Sequence, residues 1–174
     1  MSARPFEQTV LPHLDAAYNY ARWLTRNDME AEDVVQDACI RAMRFLPSLR
    51  DGNARRWLFA IVRNAWYSRA ARRTGSVERS PLGTGSSELP DNAPDPEERL
   101  LRQHAVSRVR QALEQLPPDF REVLVLREFE EMSYKEIASV VAVPIGTVMS
   151  RLARARDRLS ALLRSSRLPM ERWR

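Results

Sequence analysis

The chain has 174 residues, 44% of them hydrophobic, with a formal charge of +5 and a pI near 10.1. That is enough apolar content for one ordinary domain or two small ones, and the basic excess is almost all arginine, 27 against the single Lys135. One cysteine, Cys39, excludes an internal disulfide or a multi-cysteine zinc site, and His13 and His104 lack companions at ligand spacing, so neither metal nor cofactor is expected.

No run approaches the roughly 20 apolar residues that a bilayer requires, and the first residues have no apolar signal core, so a cytoplasmic chain without membrane insertion is expected. Charge is unevenly distributed. Residues 27–37 hold Asp28, Glu30, Glu32, Asp33 and Asp37 with no base; residues 41–73 hold nine arginines against Asp51; residues 151–174 hold eight arginines against Asp157 and Glu171. Two basic surfaces and one acidic surface imply two nucleic-acid contacts and a different kind of partner.

In chain order, Leu14, Ala17, Tyr18, Ala21 and Leu24 predict a helix over residues 10–26. A second is expected over 30–46, with Ala31, Val35, Ala38, Cys39, Ala42 and Leu46 on the packed face, and Asp33, Asp37, Ile40 and Arg44 turned away. Cys39 then reads as a small packed hydrophobe. A loop over 47–53 leads to a third helix over 54–73, where Leu58, Ile61, Val62 and Ala65 complete a core stripe and leave Phe59 and Trp66 on the other side. Its rings, with Arg50, Arg55, Arg56, Arg63, Arg69, Arg72 and Arg73, suit a separated nucleic-acid strand, because aromatic faces stack on unpaired bases while guanidinium groups hold phosphates. The competing expectation is that Trp57, Phe59, Trp66 and Tyr67 anchor a small bundle.

Residues 75–96 break the pattern with glycine, serine and proline and read as an acidic tether. Two expectations remain open for it: a negative strand threading a positive channel, or a plain spacer. Helix returns at Asp95-Pro96, with Asp95 as cap and Pro96 first in the helix; Leu100, Leu101, Val106, Val109, Ala112 and Leu113 are its apolar positions. Pro117-Pro118 ends it, and Asp119 is expected to cap a short helix carrying Val123, Leu124, Leu126 and Phe129. Ser133 and Glu136 then form a capping box, Pro144 forces a turn, and Val148, Leu152, Ala155 and Leu159 share one face of an arginine-rich helix. This is a helix-turn-helix suited to the major groove. The fold class is therefore all-α: two small helical domains, 1–74 and 97–174, joined by a flexible linker over 75–96.

Five phrases in order, AEDVVQD (31–37), WLFAIVRN (57–64), LPPDFRE (116–122), YKEIA (134–138) and GTVMSRL (146–152), resemble bacterial sigma factors of the extracytoplasmic-function group. The resemblance implies a non-enzymatic promoter-specificity subunit of RNA polymerase, reading the −35 element as duplex and the −10 element as melted strand. It implies core docking on the clamp coiled coil through Asp33, Gln36, Asp37, Ile40 and Arg44, a second contact with the flap, and an anti-sigma factor as partner. By the same resemblance the −10 element falls to Arg50, Asp51, Gly52, Asn53, Arg56, Trp57, Asn64, Arg69, Arg72 and Arg73. The −35 element falls to Thr147, Met149, Ser150, Arg151, Ala153, Arg154 and Arg158. Relatives often carry a basic residue in place of Met149 and a larger one in place of Ala153, so the −35 sequence does not transfer. Ala142 replaces a common turn glycine, which would be strained if the turn needs positive φ.

The competing class, a helix-turn-helix regulator binding duplex DNA without polymerase, gives no work to the acidic helix or the aromatic-basic helix. An enzyme has no support: the sequence holds no paired nucleophile and base, no phosphate loop and no metal constellation.

Overall fold

A computed structural model describes residues 5–50, 52–73 and 95–165. Asp51 and positions 75–94 of the expected tether lie outside the described residues. Among those described, every regular element is a helix: α1 (Phe6–Thr9), α2 (Leu14–Thr25), α3 (Asp28–Phe45), α4 (Ala54–Arg73), α5 (Pro96–Glu114), α6 (Pro118–Glu128), α7 (Tyr134–Val141) and α8 (Ile145–Ser165), with 3₁₀ turns at Leu11–His13 and Leu46–Ser48. The first expected helix is thus divided, because Pro12 opens a 3₁₀ turn where a continuous α-helix would need its N–H.

Local chemistry explains the junctions. Asn27 caps α3, its Oδ1 accepting the Glu30 N–H at 3.0 Å, and Arg26 before it takes the left-handed conformation that ends α2. The Ser133–Glu136 capping box is present in both directions, at 3.2 and 2.8 Å. Two other expected caps are not. Asp95 precedes α5 without a side-chain cap bond, and Asp119 lies inside the first turn of α6, whose flanking residue is Pro117.

In the N-terminal module α2, α3 and α4 pack against one another around Ala17, Tyr20, Ala21, Val34, Ala38, Leu58, Phe59 and Val62, all removed from solvent. Phe59 corrects the expected outward ring: it stacks on Tyr20 at 4.9 Å, and Ile61 is only partly buried in its place. Trp57 and Trp66 also pack partly against the core, so the bundle-anchor expectation holds for three of the four rings, while Tyr67 stays exposed. On α3, Val34 replaces Val35 at the centre of the core, and Cys39 is half-buried.

The C-terminal module packs α8 against α5, α6 and α7. Of the apolar positions expected on α5, only Ala112 and Leu113 are buried; Leu100, Leu101, Val106 and Val109 are exposed. The two modules are not separate bodies. α2 lies against α6 and α4 against α7, and buried residues of both modules share one cluster, beside a smaller one of Leu113, Leu116, Leu124 and Ala155.

The turn of the helix-turn-helix is strained. Ala142 ends α7 at φ 56, ψ 46, donating its N–H to the Ala138 carbonyl, in a region where a Cβ costs roughly 1–2 kcal/mol. Ala142→Gly should therefore raise stability by about 1 kcal/mol or somewhat less, the gain trimmed by glycine's larger unfolded-state entropy. Urea unfolding of the two chains side by side measures it.

Candidate nucleic-acid interface

α7 and α8 meet at 101°, within the usual range for a helix-turn-helix. Val148, Leu152 and Ala155 bury the inner face of α8, so helical geometry turns Met149, Ser150, Ala153, Arg154 and Arg158 outward, and all five are exposed. Thr147 is half-buried and accepts the Ser150 hydroxyl on its carbonyl at 3.1 Å. Arg151 is the exception in this set: it pairs with Asp119 at 3.0 Å and is only 22% exposed. The outer face is thus a short strip, apolar at Met149 and Ala153, with two arginines toward its end that can donate to base edges or phosphates.

The second set begins in the loop before α4. Arg50 and Gly52 are exposed, the latter at φ 70 where only glycine is unstrained. Asn53 accepts the Arg56 N–H at 3.0 Å, the geometry of an N-cap on α4. Its amide Nδ2 donates to Glu136 at 2.9 Å across the module boundary. Arg56 and Trp57 are half-buried and Asn64 is exposed, seven residues beyond Trp57 and so on the same side of the helix. Arg72 is exposed near the end of α4.

Arg69 and Arg73 face elsewhere. Arg69 donates to Asp33 at 3.0 Å and to Asp37 at 2.9 Å, and Arg73 pairs with Glu30 at 2.6 Å. These arginines tie α4 to the acidic side of α3, and both Asp33 and Asp37 lie in the expected docking set. Gln36, Ile40 and Arg44 are exposed beside them. Sequence reasoning missed the exposed Met43, which lies one turn from Ile40 on the same side of α3, and the exposed Phe45 at the helix end. The spacing of Ile40 and Met43, three apart on the face opposite Ala38 and Ala42, was the available signal.

The polar contacts between the modules were also unforeseen. Glu122 of α6, with a side chain 2% exposed, accepts from Tyr20 Oη at 2.6 Å and from Arg63 Nε at 2.7 Å. Arg55 donates to Glu130 at 2.5 Å. Burial and then the Glu122 charge hold the Tyr20 phenol well above its ordinary range. Burial disfavours the Arg63 cation, but Glu122 more than offsets this, so the guanidinium is held more firmly protonated. Glu130 is pushed up by burial, against the pull of Arg55.

Among the described residues no group of histidine, cysteine or carboxylate side chains could hold a metal ion, and no single helix is long and apolar enough to cross a membrane.

The Glu136 carboxyl is held below the usual carboxylate range by the Ser133 N–H, the Ser133 hydroxyl and the Asn53 amide. Because its folded value lies under its unfolded one, its stabilising effect is complete above an unfolded pKa of about 4.3 and disappears as pH falls through the folded value. Glu136→Ala should cost about 1 kcal/mol at pH 6, as loss of a capping interaction does. That deficit should shrink below about pH 4; chemical unfolding at a series of pH values checks both points.

Comparison with known proteins adds identity to this geometry. Residues 9–75 match the family model for sigma-70 region 2, and residues 107–159 that for sigma-70, region 4. The chain is 35% identical over 168 residues to the RNA polymerase sigma-H factor of Pseudomonas aeruginosa, covering 92% of this chain and 86% of that one. It is 32% identical over 154 residues to the ECF RNA polymerase sigma factor SigE of Mycolicibacterium smegmatis, covering 88% of this chain but spanning only 60% of that relative's length. Among solved structures, the sigma factor RpoE of Bartonella quintana, in complex with the anti-sigma factor NepR, superposes with a TM-score of 0.70 at 32% identity, covering 93% of this chain and 98% of that one. CnrH, in complex with the cytosolic domain of CnrY, superposes at 0.62 and 29% identity, covering 92% and 88%. Both conserved regions are present in order, on the two helical modules described above, and the chain belongs to the extracytoplasmic-function group of the sigma-70 family of RNA polymerase sigma factors.

Proposed function

We propose that this chain binds RNA polymerase core and promoter DNA and sets where transcription begins, the C-terminal module reading the −35 element as duplex and the N-terminal module taking the −10 element as melted strand. The observation that carries the duplex reading is the outer face of α8, where Met149, Ser150, Ala153, Arg154 and Arg158 stand free of the core that Val148, Leu152 and Ala155 bury. For the melted strand, the supporting residues are the loop before α4, with Gly52 at positive φ, and Asn64, two turns beyond Trp57 on the same side of the helix. Asp51 completes that loop in sequence and lies outside the described residues.

Core docking falls to α3. Asp33, Gln36, Asp37, Ile40 and Arg44 form a mixed polar and apolar strip, and the neighbouring exposed Met43 adds apolar area that a protein partner would cover and DNA would not. Domain limits of 1–74 and 97–174, with 75–96 as tether, follow this division of labour. An anti-sigma factor as a further partner is supported by the solved relatives, whose structures are complexes with NepR and with the cytosolic domain of CnrY. The chain acts by binding, without catalysis of its own.

In vitro transcription with purified core polymerase tests the proposal: the chain should direct initiation at promoters that core alone ignores. Arg154→Ala should weaken −35 duplex binding by about 1–3 kcal/mol and relax base preference at one position, read by competition with single-base variants. Asn64→Ala should leave duplex affinity intact and slow open-complex formation, followed by permanganate reactivity of unpaired thymines. Normal opening by that variant at every promoter used would remove Asn64 from the −10 set.

A further inference from the structure

A helix-turn-helix directs the N-terminal residues of its second helix at base edges, and in this chain those residues offer almost no charge. Over residues 145–153 of α8 the one cation is Arg151, held by Asp119 at 3.0 Å, and the Ser150 hydroxyl donates to the Thr147 carbonyl. What stands exposed there instead is apolar: Ile145, Met149 and Ala153, the first two 44% and 52% exposed. Recurring every four residues, they form one inclined row along an edge of the outer face. Arg154 and Arg158 lie along the opposite edge. Gly146 is a second and independent sign. It belongs to the first turn of α8 without a positive φ, and a Cβ there would meet nothing within 4 Å. Neither backbone conformation nor packing calls for glycine, which lowers helix stability relative to alanine. The missing side chain allows a body outside the fold to approach the backbone closely, at the end of the helix that reaches the bases.

We propose that Met149 and Ala153 read thymine, packing on the C5-methyl groups of A·T pairs in the major groove, so that this part of the −35 element is selected by apolar contact and not by hydrogen bonding. Among the four bases only thymine presents a methyl group in that groove, on one side of the pair, which separates T·A from A·T as well as from G·C. An apolar side chain against a guanine or cytosine edge would leave its polar groups dehydrated and unpaired, which penalises G·C at the same positions. One turn of α8 separates the two side chains, an advance of about 6 Å, roughly two base steps of about 3.4 Å. The two thymines are therefore expected about two base pairs apart, beside whatever base Arg154 contacts. This inference rests on the −35 reading given above and specifies its base chemistry.

The test uses holoenzyme assembled from core polymerase and the full chain. Promoters are first enriched from a library of duplexes randomised upstream of the start site. Each thymine of the enriched upstream block, on either strand, is then replaced singly by deoxyuridine, which removes the C5-methyl and leaves the hydrogen-bonding edge unchanged. Affinity for each duplex is measured by competition with the parent, Met149→Ala, Met149→Arg and Ala153→Gly chains. Circular dichroism melting verifies that each variant is folded, and the ratio of thymine to deoxyuridine affinity within one variant is insensitive to any loss of stability.

With the parent chain, two thymines should each show about a fourfold loss on replacement by deoxyuridine, the size expected for one methyl-sized group left in water. Met149→Ala should abolish the methyl dependence at one of the two and keep it at the other, and Ala153→Gly should do the reverse. Met149→Arg should move the preferred base at its position from thymine to guanine, whose O6 and N7 accept a guanidinium. An enriched block without thymine, deoxyuridine tolerated at every upstream thymine, or a methyl dependence that Met149→Ala and Ala153→Gly both leave intact would overturn the proposal. Failure of the two readings is distinguishable. An upstream block that is enriched and sensitive to Arg154→Ala, yet indifferent to thymine methyls, removes thymine reading alone; no enriched upstream block at all removes the −35 reading and this inference with it.

Discussion

A carboxylate buried between two helical modules governs how this chain is put together. Glu122 is buried where Tyr20 from α2 and Arg63 from α4 both donate to its Oε1 and Arg63 also reaches its Oε2, and a side chain so polar would be costly to bury without such donors. The requirement is geometric as well as energetic. It holds α6 against α2 and α4 in one position, and the adjoining pairs, Arg55 with Glu130 and Asn53 with Glu136, follow from that position. Hydrophobic burial supplies the bulk of the association, since the apolar cluster runs without interruption from Tyr20 and Phe59 to Val123, Ile137 and Leu152. The polar pairs select which docking, among many that would bury apolar surface, is adopted.

Charge in the N-terminal module is arranged so that one helix serves two surfaces. α4 presents Asn53, Arg55 and Arg63 toward the C-terminal module. Near its end it presents Arg69 and Arg73 toward Asp33, Asp37 and Glu30 of α3. The second group fixes α3 to α4 by partly exposed pairs, each worth little alone, and it directs positive charge toward the acidic face of α3. Basic residues counted along the sequence therefore overstate the basic area open to nucleic acid. The C-terminal module follows the same rule: Arg151 is committed to Asp119 and Arg156 to Glu128, and Arg154 and Arg158 are left on the open face of α8.

Several features were legible in advance because they depend on neighbours in sequence. The Ser133–Glu136 box, the turn at Pro144, the inner face of α8 and the limits of α4 all follow from local hydrogen bonding and a 3.6-residue period. The strain at Ala142 was conditional on the sign of φ, and the observed 56° settles it. Failures occurred where distant chain supplied the partner. Phe59 reads as outward on a helical wheel, yet Tyr20 lies ready to stack on it. Leu100, Leu101 and Val106 read as core on α5, yet nothing among the described residues buries them. Asp119 reads as a cap, yet it sits one residue inside the helix and meets Arg151 instead.

The sequence by itself determined that this is an all-helical pair of modules, where the longer helices lie, that the second module is a helix-turn-helix, and which family it belongs to; it did not show α1 or the 3₁₀ turn that divides the first expected helix. Those properties arise from backbone hydrogen bonds, side-chain periodicity and ordered motifs, all of them encoded at short range. Only the tertiary structure decided which arginines remain available and which are taken, and that Glu122, Glu130 and Glu136 meet Arg63, Arg55 and Asn53. Such choices depend on contacts across 59, 75 and 83 residues of chain, and at those separations a residue's type says what it can bind while the packing of the helices says what it meets.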